Sequence, residues 1–263
     1  MQKFLSVFFK IILFLGIWMV AVAFIPVGPY RNEAELRLWN EFIPFAAVII
    51  LTFMFIVIDG NRLRLQVGYH FSKSIVIGLI LGIAWFGLAI GIIYGSGSLT
   101  INGKNSVPLL YIWIFAAFLN VIMQEVLVRG FIYQLVKREY GLFWAFVITT
   151  GMFTVMHAGS IELGVIPILN VITMSLFMTM VMEYMNSLTV PIIIHSVWNI
   201  IGCIIFGNGG LAEDYPVLYN LAFSGNELIS GGASQIEGSV VVLILNTVLF
   251  FMFFMMYGIR KHG

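Results

Sequence analysis

Met123–Gly130 reads MQEVLVRG and lies inside an apolar stretch long enough to cross a membrane. An ionised carboxylate or guanidinium at the centre of a transmembrane helix costs roughly 2.5–3.5 kcal/mol on insertion scales. Glu125 and Arg129 stand four residues apart, on one face of a helix, where each can neutralise the other. Gln124 stands beside them, polar but uncharged. Such a stripe is tolerated only where it faces protein, so the surrounding chain is expected to be a bundle of membrane helices.

Composition agrees. Hydrophobic residues make up 61% of the 263 and charged residues 10%, against roughly 25% charged in a soluble domain. The expected class is an all-α polytopic membrane protein. The single cysteine, Cys203, excludes an intramolecular disulfide framework and a cysteine cluster, and reads as a small packing residue. A net charge of +1, with no long basic run, gives no nucleic-acid surface.

About eight apolar spans are expected outward from this stretch, most of about 18–25 residues, the length a helix needs to cross roughly 30 Å of hydrocarbon. Their approximate limits are 4–24, 42–58, 74–94, 108–140, 142–160, 166–185, 190–206 and 239–259. The chain thus divides into an N-terminal three-helix region (1–107), a four-helix core (108–207), an extracytoplasmic loop (208–238) and a C-terminal helix with its tail (239–263). In the third span Gly78 and Gly82, then Gly87, Gly91 and Gly95, recur at four-residue spacing, the mark of close helix packing. The fourth span is longer than a membrane requires, so KREYG at its end is expected to project into water. The Gly-rich loop admits an ordered cap, a short helix near 214–222, or disorder. The 24 phenylalanines read as lipid-facing bulk.

Eight spans put both termini on one side. Lys3, Arg62, Arg64, Lys73, Lys137, Arg138, Arg260 and Lys261 fall there, and Arg31, Arg37 and Lys104 on the other, so the termini are expected to be cytoplasmic and the protein a multi-pass cell-membrane protein.

Intramembrane polar residues are candidates for function. Asn120 with Gln124, Glu125 with Arg129, and His195 with Asn199 are each four apart, and Thr150, Thr154 and His157 follow i, i+4, i+7. Gln124 and His157 each stand 15 residues from the turn joining the fourth and fifth spans, counting from Glu139 and Leu142, which predicts a common depth for them. A Glu and Arg pair can equally be a packing device, and Asn120, Thr150, Thr154, Asn170 and Thr173 read as interhelical hydrogen-bond partners of about 0.6 kcal/mol each. Together the two histidines, Asn199 and an acid can polarise a water for attack on an amide and donate to the developing oxyanion. A zinc ion held by Glu125, His157 and His195 is the metal-based variant, although no HExxH is present. A small transporter is the reading from another class, weakened by the lack of an evident inverted repeat.

QEVLVR, FTVMH (Phe153–His157) and HSVWN (His195–Asn199) together resemble the three motifs EExxxR, FxxxH and HxxxN of the CAAX protease and bacteriocin-processing (CPBP, or Abi) family of intramembrane proteases. The resemblance spans about 111–207. It implies a peptidase acting on membrane-associated substrates such as prenylated CAAX proteins or bacteriocin and pheromone precursors. It also implies that Gln124 and His157 take the water-activating positions, that Glu125 and Arg129 brace the helices, and that His195 and Asn199 form the oxyanion hole or contribute metal ligands. The family has Glu where this chain has Gln124, and a carboxamide accepts no proton at any relevant pH. Three readings follow: Glu125 serves as the base, the chain is a pseudoprotease that binds a membrane partner without cutting, or a Glu was replaced to trap a complex.

Overall fold

The computed structural model describes residues 2–60, 62–68, 70–207 and 215–262. It is helical almost throughout, and the chain falls into two compact units, Met1–Gln66 with Leu109–Thr149, and Val67–Pro108 with Thr150–Gly263.

In the first unit, α1 (Gln2–Phe24) packs on α2 (Glu33–Ile58), and α2 packs on α4 (Leu110–Glu125). Only Val7 and Phe14 of α1 are fully buried, so most of its apolar surface faces outward, as a lipid-facing helix requires. Asn32 caps α2: its Oδ1 accepts from the Glu35 backbone N–H at 3.0 Å, while the Glu35 carboxylate accepts from the Arg31 N–H at 2.7 Å. This cap starts the helix well before the span expected at 42–58 and brings Arg37 and Glu41 inside it. From α4 the chain continues through a π-helical turn (Val126–Ile132) into α5 (Tyr133–Tyr140), and Gly141, with φ +87°, ends the run. Phe131, on the π turn, lies 4.9 Å from the Phe14 ring and 5.1 Å from Phe55. These three buried rings correct the reading of phenylalanine as lipid-facing bulk.

An ionic cluster closes one end of this unit. Asp59, just past the C-terminus of α2, accepts from Lys10 at 2.6 Å and pairs with Arg138, while Lys3 reaches Glu139 at 3.3 Å. The start of α1, the end of α2 and the end of α5 therefore share one side.

In the second unit α3 (Phe71–Gly95) packs on α9 (Thr189–Val197), and α8 (Val165–Met185) on α11 (Val240–His262). A Cβ on Gly78 would stand 2.7 Å from Ile193 Cβ, and one on Gly82 2.9 Å from Val197 Cβ, so both glycines let α9 approach. Gly87, Gly91 and Gly95 have no neighbour within 4 Å of such a Cβ; the repeated spacing is a packing device only in its first two members. α6 (Leu142–Met156) runs from one unit into the other and ends before the expected Ser160, leaving His157 in the turn that precedes α7 (Gly159–Leu163).

The loop region departs from expectation. β1 (Leu99–Lys104) pairs antiparallel with β2 (Tyr219–Phe223), so a strand stands where a short helix near 214–222 was one option; residues 208–214 lie outside the described ones. α10 (Glu227–Ser230) and a 3₁₀ segment (Gly232–Gly238) complete an ordered cap before α11. Asn170 of α8 ties this cap down by donating to the Glu237 and Ser239 carbonyls at 2.8 and 3.1 Å.

Six described helical stretches are long and apolar enough to cross a membrane: 2–24, 33–58, 71–95, 110–140, 165–185 and 232–261. Two shorter apolar stretches, Leu142–Met156 and Thr189–Ile205, occupy the remaining expected positions. The protein is a multi-pass all-α membrane protein.

Candidate functional site

The candidate residues divide between the two units. In the first, Glu125 and Arg129 are wholly buried, and Arg129 Nη1 donates to both Glu125 oxygens at 2.8 and 2.7 Å. The i, i+4 spacing produces this pair directly, and in a buried setting each charge needs the other. The π turn begins at the next residue, and the backbone leaves helical geometry at Gly130, where a Cβ would stand 3.2 Å from Val126 Cγ1. π turns insert an extra residue per turn and recur at functional sites.

Gln124 is half-buried and turned away from that pair. Its Nε2 donates to Asn120 Oδ1 at 2.7 Å, Asn120 Nδ2 donates to Glu41 Oε2 at 2.8 Å, and Arg37 donates to Glu41 Oε1 at 2.5 Å. Gln124 Oε1 is buried with no hydrogen-bond partner among the described residues. Asn120 is thus the interhelical partner expected of it, and the residue it serves is Glu41. Neither Glu41 nor Arg37 is among the expected site residues, because placing the second span at 42–58 left both outside it. Their i, i+4 spacing, the same as that of Glu125 and Arg129, was the available signal.

In the second unit the FxxxH spacing has a direct consequence. His157 Nδ1 lies 2.8 Å from the Phe153 carbonyl, which can only accept, so Nδ1 carries a proton, and in the neutral ring Nε2 carries the lone pair. The Phe153 ring is fully buried, with its centroid 4.3 Å from the His157 imidazole and 5.9 Å from that of His195. One aromatic ring therefore spaces the two histidines. Phe153 had no assigned role in the motif, and its place at the head of FTVMH was the signal for one.

His195 and Asn199 are buried, at 1% and 6% exposure, and a second π turn (Trp198–Ile205) starts between them. Trp198 stacks on Trp85 of α3 at 4.3 Å and meets Phe86 edge-on at 5.7 Å, which holds this helix where Gly78 and Gly82 let it approach. Among the other polar residues, Thr150 accepts from Ser175 of α8 at 3.4 Å and Thr173 from Asn246 of α11 at 3.3 Å, as expected of interhelical partners. Thr154 instead donates to the Thr150 carbonyl within its own helix.

Glu125, one of the three residues of the zinc set, is already paired. Both Glu125 oxygens are engaged by Arg129, and among the described residues no group of three or more His, Cys, Asp and Glu side chains is gathered to hold a metal.

A family model described as type II CAAX prenyl endopeptidase Rce1-like matches residues 106–201. This segment is Rce1-like. It includes all six motif residues, from Gln124 to Asn199, and leaves α1, α2, α3 and α11 outside. Comparison with curated proteins and with solved structures gave no match. Both π turns begin inside the Rce1-like segment, one immediately after Glu125 and one three residues after His195.

Proposed function

We propose that this protein is an Rce1-like intramembrane endopeptidase that hydrolyses a peptide bond of a membrane-associated peptide or protein through an activated water. The observation that carries the reading is the match over 106–201, which takes in all three motifs at once. The His157 tautomer supports it: with Nδ1–H held by the Phe153 carbonyl, Nε2 is the nitrogen that takes a proton from water when the ring is neutral. The family resemblance gives Gln124 the water-activating position, where its carbonyl oxygen can accept a hydrogen bond but no proton. His195 and Asn199 donate to the oxyanion that develops on the scissile carbonyl, in a buried setting where such donors count most. Glu125 and Arg129 hold the motif helix in shape. A prenylated CAAX peptide is the substrate class that the family description favours.

Gln124 takes no proton, so general-base assistance from position 124 is absent, and turnover falls by the 10²–10⁴ that such a group supplies. The same observation favours a second reading, a pseudoprotease that binds its membrane substrate or partner without cutting it. Glu125 is a poor substitute base because Arg129 engages both of its oxygens.

The test is cleavage of a fluorogenic prenylated CAAX peptide in proteoliposomes. Gln124→Glu raises the rate over that of the native chain, and His157→Ala in that background abolishes it. Tight peptide binding with no cleavage in either form selects the pseudoprotease. Solute or proton flux lost on Glu125→Gln would replace both readings with a transporter.

A further inference from the structure

The hydrogen bonds leading to Gln124 run in one direction, and that direction is set at Glu41. A guanidinium has donors only, so the Glu41 carboxylate that faces Arg37 at 2.5 Å accepts. Its second oxygen takes the Asn120 Nδ2 donor at 2.8 Å, which turns Asn120 Oδ1 toward position 124. The group that meets Oδ1 must donate, and the Gln124 amide does so at 2.7 Å. With its nitrogen committed, the Gln124 carbonyl oxygen is left buried and without a partner among the described residues. An ionised carboxylate at 124 would present a lone pair to Oδ1. Rotating the Asn120 amide to relieve that contact would move the conflict to Glu41.

We propose that Arg37, Glu41 and Asn120 are positioning residues that orient the Gln124 side chain, and that position 124 is built for a carboxamide whose carbonyl oxygen serves as a fixed acceptor. Gln124 is then matched to its surroundings on α2, outside the Rce1-like segment, and is no isolated replacement of a glutamate. The hydrogen-bond polarity stands independently of the protease reading; the consequence for turnover rests on that reading.

Reversing the chain of bonds tests this. In Glu41→Gln/Gln124→Glu, the carboxamide at position 41 still accepts from Arg37 and now donates to Asn120, and Asn120 donates to the carboxylate at position 124, so both Asn120 contacts are satisfied in the opposite sense. The expected result for the full-length protein in nanodiscs is that Gln124→Glu and Glu41→Gln each lower the thermal midpoint, while the double variant is more stable than Gln124→Glu alone. In the peptide assay, with kcat normalised to the folded, peptide-binding fraction so that loss of stability is removed from it, the double variant has a higher kcat than Gln124→Glu at the same KM. A double variant no better than Gln124→Glu in yield or midpoint overturns the inference, even if both cleave the peptide. Recovery of stability with no cleavage by any variant leaves the inference standing and removes the peptidase reading.

Discussion

At the scale of the residue, spacing in the sequence carried the chemistry where both partners lie on one helix. Glu125 with Arg129 and Phe153 with His157 are four-residue contacts, and each forms as the spacing dictates. Contacts between helices were less legible. Asn120 gave no sign of which helix it would meet, and Glu41 was hidden by a misplaced helix start. The wholly buried ion pair yields a sharp expectation. Arg129→Met removes the charge that engages both Glu125 oxygens and leaves a buried carboxylate behind, which should cost about 3–5 kcal/mol. Denaturant titration of the reconstituted variant measures this. Glu125→Gln/Arg129→Met should recover much of the loss, because a neutral pair needs no counter-charge, and failure to recover would give Arg129 a further role.

At the scale of the element, the six long apolar stretches were readable from length and composition, since hydropathy over about 20 residues reports on the solvent that a helix needs, and two shorter apolar helices stand at the other expected positions. The π turns were not readable, because they keep the residue pattern of a helix and change only its bonding. Nor was the β1–β2 pair, which joins segments more than a hundred residues apart. The helix start at Asn32 was legible in principle, as an Asn followed three residues later by Glu is a capping signal, but the polar first turns masked it. Two predictions belong here. Gly82→Leu drives a side chain into Val197 and the Ile194 backbone, which displaces the helix that carries His195 and Asn199. It should lower kcat severely, whereas Gly91→Leu, at an open position of the same helix, should leave kcat and the thermal midpoint unchanged. The second concerns the end of α2. A carboxylate there is unfavourable toward the helix dipole, and the hydrogen bond from Arg138, followed by that from Lys10, draws the Asp59 carboxyl down from 3.8 to about 2. A depressed folded value means stabilisation that is present above pH about 4 and lost as the pH falls toward about 2. Thermal melts of native protein and Asp59→Asn should therefore differ above pH about 4 and converge near pH about 2.

At the scale of the whole molecule, the class of protein was fixed by composition alone, and the ordered cap between 215 and 239 was the part that composition left open. Charge bias predicts cytoplasmic termini, and the single native cysteine makes this easy to measure. In a Cys203→Ser background, Lys104→Cys on β1 should react with a membrane-impermeant maleimide on intact cells, and Lys261→Cys only after permeabilisation. Labelling of both from outside would place the termini on the other side.

The proposed peptidase activity turns on position 124. The measurement that bears on it most directly is kcat for a prenylated CAAX peptide, taken on the native chain, on Gln124→Glu and on Gln124→Glu/His157→Ala in one lipid composition. The expected result is a rise of about 10² or more on placing a carboxylate at position 124, and complete loss of that gain with His157 removed. Equal rates for the first two forms, or cleavage that survives the removal of His157, would contradict it.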